Sequence, residues 1–402
     1  MIEVQPLRDG FRREPVTISY PESAKFSEVY GFAGGTGRIY LEGQLFRPDA
    51  PSRTLLLFMH PSSSMTLLTM PRALAEAGFH VLCCGSRYLR NDSALIMEKV
   101  AFDLGAYVQW ARGTMGYDKV VLVGWSGGGS LSLFYQSLVE RPRELVSADQ
   151  RFDFRSAGLA GADALISIAA HLSRAETVTE WLDPSVMDEQ NPELRDPELD
   201  IYARNFRFGP PYPADFMARY RSAQRARSRR ITDWCEAELE DLARRQDGTH
   251  ERAFVVHRTM ADPRWHDGTI DPNERALDWC YQGDPRAVNT GPTGLARFTT
   301  LRSWLSQWSY DRSNAKTADT APHITIPALV IENAADDAVP ATHPRRIFDL
   351  IGSTDKRYER IAGATHYYKG QPELQAQAVS TCREWLDGLG LVDVRGVSAA
   401  TG

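Results

Sequence analysis

The sequence predicts an α/β protein: a mostly parallel, doubly wound sheet with a large, mostly helical insertion after the sixth strand. Three observations predict it. Short apolar runs alternate with amphipathic stretches over 53–170 and again over 324–390, which is the pattern of strand–helix–strand units. The stretch between, 171–322, lacks β-branched runs and is rich in Arg, Trp, Tyr and Pro. Finally, Val120-Val-Leu-Val-Gly-Trp-Ser126-Gly-Gly-Gly-Ser130 passes from strand to helix through glycines, with a serine at the apex. The expected organisation is a core of 1–170 and 323–402 with a helical lid of 171–322.

Each element follows from its residues. Segments 15–20 and 38–46 read as strands joined through a turn containing Gly31, Gly34, Gly35 and Gly37. Arg53-Thr-Leu-Leu-Leu-Phe-Met-His60 is a continuous apolar run, expected of a central strand covered on both faces. Residues 66–77 read as a helix with Pro71 as an irregularity. His80–Cys84 reads as a strand that sends Cys83 and Cys84 to opposite faces. A long amphipathic helix is expected over 93–112, with Ser93 as N-cap. A strand at 119–123, a helix at 127–140 ending before Pro142, and a strand at Ala164–Ala170 complete the first half. The second half predicts a strand at 327–332, a helix at 344–351, a strand at 356–361 and a helix at 372–388, with 391–402 a frayed tail. Inside the insertion, 213–246 reads as one long helix or two, and 272–282 and 293–308 as further helices.

Composition narrows the function classes. The 402 residues suffice for one large domain with an insertion or for two domains. With 43% hydrophobic and 24% charged residues the chain is ordinary for a soluble globular protein. A net charge of −6 gives no reason to expect nucleic acid or a membrane surface as partner. The start Met1-Ile-Glu-Val-Gln-Pro lacks the pattern of a signal peptide, and no apolar run reaches the roughly 18 residues of a membrane span. A cytoplasmic location is therefore expected, and a homodimer is compatible with it. Five scattered cysteines make no disulfide framework and read as free thiols. Without Cys-x-x-Cys or a His-rich cluster, neither a metal nor a cofactor is expected. The arginines at 219, 221, 225, 227, 229 and 230, followed by Glu236, Glu238, Glu240 and Asp241, read as a solvated, ion-paired helix face.

The chemistry centres on Gly124-Trp-Ser126-Gly-Gly128. In a G-x-S-x-G elbow the serine backbone is strained, and its hydroxyl is lifted out beside a helix N-terminus. A serine nucleophile needs a base, and the base an orienting acid. Asn333-Ala-Ala-Asp336-Asp337-Ala-Val-Pro340 follows one predicted strand, and Ala362-Gly-Ala-Thr-His366 follows the next. Both lie beyond strand carboxyl ends, where open α/β sheets place their ligands. Asp337 is the neighbouring alternative for the acid, and Glu176 and Asp183 lie after the preceding strand. Among rival bases, His60 reads as a loop brace and His171 as structural, though it ends a strand near the site. His257 and His266 read as part of the insertion, and His343 as the opening of a helix.

With these residues the chain resembles the α/β-hydrolase superfamily. The resemblance rests on the elbow at 124–128, the acid turn Asp336-Asp-Ala-Val-Pro340, Gly363-Ala-Thr-His366, and His60-Pro61-Ser62-Ser63, where members often carry His-Gly. It covers roughly 53–170 and 324–390. It implies the α/β-hydrolase fold and a triad of Ser126, Asp336 and His366. The acid stands four residues before the proline in the family pattern, which selects Asp336. The resemblance also implies an oxyanion hole of two backbone N–H groups. One would be that of Gly127. Pro61, standing where the family has glycine, has no N–H to give, so the other would be that of Ser62, with Ser63 second.

The expected activity is hydrolysis of a carboxylic ester, lactone or thioester through an acyl-enzyme. Carbon–carbon or amide hydrolysis, or acyl transfer, would use the same three residues. A ligand-binding homologue without turnover is the alternative from another class. Trp181, Trp234, Trp265, Trp279, Trp304 and Trp308, with Tyr202, Tyr212 and Tyr220, should mostly form the insertion's core. Two or three above Ser126 would favour a small-molecule substrate with a bulky, partly apolar or aromatic acyl group.

Overall fold

In the computed structural model the described residues are 9–22 and 37–392. The predicted turn glycines Gly31, Gly34 and Gly35, and most of the predicted tail, lie outside them.

Eight strands form the main sheet: β1 (Arg12–Pro21), β2 (Arg38–Arg47), β3 (Thr54–Met59), β4 (His80–Cys84), β5 (Lys119–Ser126), β6 (Ala164–Ala170), β7 (Ala328–Asn333) and β8 (Lys356–Ile361). Their spatial order is β1-β2-β4-β3-β5-β6-β7-β8. β2 runs antiparallel to both β1 and β4, and the remaining neighbours are parallel.

All six residues of β3 are buried, because helices cover both faces. Leu55, Leu57 and Met59 pack with α2 (Met97–Gly113) and α3 (Gly127–Glu140). Leu56 and Phe58 face α1 (Thr69–Glu76) and the terminal helix Pro372–Gly388. Burying each such side chain contributes about 1.5–3 kcal/mol. The two-residue alternation also sends Cys84 into the first core and Cys83 into the second. The five cysteines are buried and free. No helix among the described residues is long and apolar enough to cross a membrane.

One helix boundary differs from expectation for a physical reason. The helix expected from 93 starts at Met97, and its N-cap, Ile96, supplies no side-chain bond. Ser93 is held elsewhere, its N–H donating to Asn91 Oδ1 at 3.2 Å and its carbonyl accepting from Thr300 N–H. The free N–H of Met97 is met instead by Ser306 Oγ at 2.8 Å, whose hydroxyl donates to the buried Glu98 carboxylate. A cap supplied more than 200 residues away leaves no local signal. Pro71 falls in the first turn of α1, where a missing N–H costs nothing.

Between β6 and β7 the chain forms α4 (Arg174–Trp181) and the 32-residue α5 (Ala214–Arg245), joined by long irregular stretches. The helix expected at 272–282 does not form. The Arg275 guanidinium donates to the carbonyls of Arg264, Asp267, Ile270 and Asp271, which holds that stretch as a loop. The helix expected at 293–308 is confined to 301–308, after a short strand Phe298–Thr300 paired with Ala253–Val255. On α5, Arg219 and Arg229 pair at the surface with Glu198 and Asp311, as expected of a solvated face. Arg227 does not: it is fully buried and donates to Glu189 and to the carbonyls of Asp183, His257 and Arg258.

After β7 come α6 (Thr342–Leu350), β8 and α7 (Pro372–Gly388).

Candidate active site

β5 ends at Ser126, which adopts φ 54° and ψ −124° before α3 begins. Such a backbone conformation costs a non-glycine residue on the order of 1–3 kcal/mol and persists only where the surroundings impose it. The glycines make those surroundings possible. A Cβ on Gly128 would lie 2.4 Å from the Met59 carbonyl oxygen, and one on Gly129 2.3 Å from Ala170 Cβ. One on Gly124 would lie 2.5 Å from Gly129 Cα. The ends of β3 and β6 therefore clamp the elbow with only backbone between them.

The two later loops bring their residues together. His366 Nδ1–H donates to Asp336 Oδ2 at 2.8 Å. Because an ionised carboxylate only accepts, this contact places a proton on Nδ1 and leaves Nε2 as the basic nitrogen. Asp336 Oδ1 accepts from the N–H groups of Ala338 and Val339, each at 2.8 Å, so the carboxylate is fixed on both oxygens. Both side chains are buried. The Trp125 ring lies 4.5 Å from the imidazole, and its Nε1–H donates to the His366 carbonyl.

The other acids stand apart from this pair. Burial, then the neighbouring Asp336 charge, push Asp337 up to about 6. Asp183 is taken up by Arg258, Ser185 and Asn289, and Glu176 accepts from Ser173 at the start of α4.

Ser126, Gly127, Ser62 and His366 line one cavity of about 210 Å³. Ser62 N–H donates to His60 Nδ1 at 3.1 Å, and Ser63 N–H donates to the same nitrogen at 2.9 Å. His60 is thus the brace of its loop. Burial, helped by Arg174 and His366, holds its imidazole well below the usual range, so it stays neutral with its proton on Nε2. His171 lines the cavity too, with Nδ1 bonded to Thr177 Oγ1, and burial followed by His343 likewise keeps it neutral. His343 lies in the first turn of α6, and His266 is bonded to Asp278 and Tyr202.

The insertion supplies the opposite wall. Of the aromatic residues singled out from the sequence, Trp181 and Trp308 line the cavity. Trp304 is buried in the insertion's own core with Trp234 against it, while Trp279 is 51% exposed. Sequence reading missed Tyr281, Gln282, Arg174 and Asp92, all of them on the wall. No motif marks them, because their chain segments meet only after folding. The insertion also grips the turn after β7: Asn273 Nδ2–H donates to the Asp336 carbonyl and Trp265 Nε1–H to that of Asp337, both at 2.9 Å. Among the described residues no group of three or more His, Cys, Asp or Glu side chains is placed to hold a metal ion.

Strand order, elbow and the Asp336–His366 pair together define the α/β-hydrolase fold, and the chain has it. One solved structure agrees in architecture. DcsB, in complex with its substrate analogue, is similar at 14% identity over 93% of this chain and 99% of that one, with a TM-score of 0.50. The α/β hydrolase GrgF from Penicillium sp. sh18 shares 13% identity over 94% and 99% of the two chains, with a TM-score of 0.48. The monoacylglycerol lipase of Paleococcus ferrophilus shares 15% over 87% and 98%, with a TM-score of 0.44. No family model and no curated protein sequence matches the chain.

Proposed function

We propose that the protein is a serine hydrolase of small carboxylic esters, lactones or thioesters. The observation that carries this reading is the buried Asp336–His366 pair opening onto the same cavity as the strained Ser126. Ser126 Oγ attacks the substrate carbonyl carbon while its proton passes to His366 Nε2, and Asp336 stabilises the resulting imidazolium. The carbonyl oxygen becomes an oxyanion. Gly127 N–H is one donor to it. Ser62 N–H is the other, leaving its bond to His60 Nδ1, since an anionic acceptor outcompetes a neutral one. Each donor contributes about 3 kcal/mol to the transition state. Collapse breaks the bond to the leaving alkoxide or thiolate, which takes the proton from His366. Water then attacks the acyl-enzyme, giving its proton to His366, and the acid is released as Ser126 recovers its hydrogen.

The volume of about 210 Å³ is below the roughly 300 Å³ at which ligand pockets begin. The wall mixes Trp125, Trp181, Tyr281 and Trp308 with Arg174, Asp92 and Gln282. This supports a small substrate with polar groups rather than the bulky, partly apolar or aromatic one expected from the tryptophan content. Residues 171–322 serve as the lid that sets this shape.

Treating the intact protein with a fluorophosphonate and mapping the adduct tests the proposal. Labelling of Ser126 that vanishes in Asp336→Asn supports it. An unlabelled Ser126 in folded protein returns the chain to the ligand-binding reading.

A further inference from the structure

The cavity wall is incompletely satisfied, and the defects share one chemistry. Among the described residues, nine buried side-chain nitrogen or oxygen atoms lack a hydrogen-bond partner, and Arg174 Nε, Trp308 Nε1 and Gln282 Oε1 are three of them. All three residues line the cavity that holds Ser126. Arg174 opens α4, its side chain is 6% exposed, and its guanidinium lies 4.2 Å above the Trp308 ring. Its carboxylate partner is Asp92 at 2.5 Å, which keeps 32% of its own side chain exposed. An arginine carries five N–H donors, and leaving a buried one unpaired is costly. Arg174 and Trp308 therefore each carry an unpaired donor within one stacked pair. Gln282 offers the reverse: its Nε2 is committed to the Thr293 carbonyl and Tyr281 Oη, so Oε1 is the free end. That end repels an anion and fixes which side of the cavity an anion can take.

The geometry points to Arg174 and Trp308 as a subsite for a free carboxylate on the substrate, so that the preferred substrates are monoesters of small dicarboxylic acids. This rests on the hydrolase reading for the reacting bond, but not for the anion. An incoming carboxylate would supply the acceptor that the Arg174 N–H lacks, with the guanidinium plane stacked on the Trp308 indole. Sequence hides the subsite because Arg174 and Trp308 come from distant ends of the insertion.

The test uses monomethyl succinate and methyl butyrate, which are similar in length and differ in the free carboxylate. Binding is read by tryptophan fluorescence in full-length protein and turnover by methanol release. The Ser126→Ala variant should bind monomethyl succinate at least about thirtyfold more tightly than methyl butyrate. Arg174→Gln in that background should erase the preference. Asp92→Asn should strengthen succinate binding about threefold, since it removes a competing anion; a misfolded variant could not mimic that gain. Equal binding of the two esters, or a preference that survives Arg174→Gln, overturns the subsite. The two readings fail separately. Arg174-dependent binding without any Ser126-dependent turnover removes the hydrolase and keeps the subsite. Ser126-dependent turnover with no Arg174 discrimination does the reverse.

Discussion

Asn273 donates its side-chain N–H to the main-chain carbonyl of Asp336 at 2.9 Å. A residue of the insertion thus steadies the turn that presents the Asp336 carboxylate, while Ala338 and Val339 steady that carboxylate from within the turn. The insertion shapes the cavity and also holds part of the proposed catalytic machinery in place.

Asn273→Ala should therefore lower activity without touching substrate. Loss of one such hydrogen bond costs about 1 kcal/mol. The expected result is a kcat reduced severalfold with KM unchanged, measured on an activated ester. A KM change alone would show that Asn273 acts on the cavity and not on the acid.

Asp336 and Asp337 should separate cleanly. Asp336→Asn should lower kcat by about 10⁴, because the imidazole loses the partner that sets its tautomer. Asp337→Asn should be nearly neutral in rate. Its effect is on stability: the folded-state pKa near 6 lies above the unfolded value of 3.8, so the charged form penalises the fold at high pH. The variant should gain on the order of 2 kcal/mol over wild type at pH 8, and the gain should fade as pH drops from 6 to below 4. Urea unfolding at pH 4, 6 and 8 checks the sign.

At the elbow, Ser126→Gly and Ser126→Ala should both abolish turnover but differ in stability. Glycine accepts φ 54° freely, so Ser126→Gly should melt above Ser126→Ala, by about 1 kcal/mol at the midpoint. Calorimetry of both variants measures the stored strain directly.

Gly128→Ala should be among the most damaging single-methyl additions in the chain. The new Cβ would meet the Met59 carbonyl oxygen at 2.4 Å, and neither backbone can retreat. A loss of about 3 kcal/mol or more is expected. Gly113→Ala, where nothing lies within 4 Å, is the matched control in a helix and should be stabilising or neutral.

How much of this was legible follows from the range of each interaction. β3 could be read because a strand covered on both faces must be a continuous apolar run, and Ser126, Asp336 and His366 could be singled out as candidates because each sits in a motif at a strand end. The start of α2 could not: its cap, Ser306, arrives from the insertion. Residues 272–282 read as a helix because nothing local reveals that Arg275 will bind four carbonyls. Arg227 looked like one of a row of surface cations, yet it is buried, because the carbonyls that receive it lie in the insertion's irregular segments. The wall residues Arg174, Tyr281 and Gln282 belong to the same class of non-local fact.

The Ser306 cap on Met97 has a consequence for engineering. Exchanging the insertion for that of another protein presumes that the transplanted piece is modular. Here residues 303–308 help terminate a core helix, and Ser306 holds Glu98 inside the core. A chimaera that swaps the whole insertion would strip α2 of its first-turn partner and strand a buried carboxylate. Successful grafts should keep 301–322 with the host and replace only the segment before it.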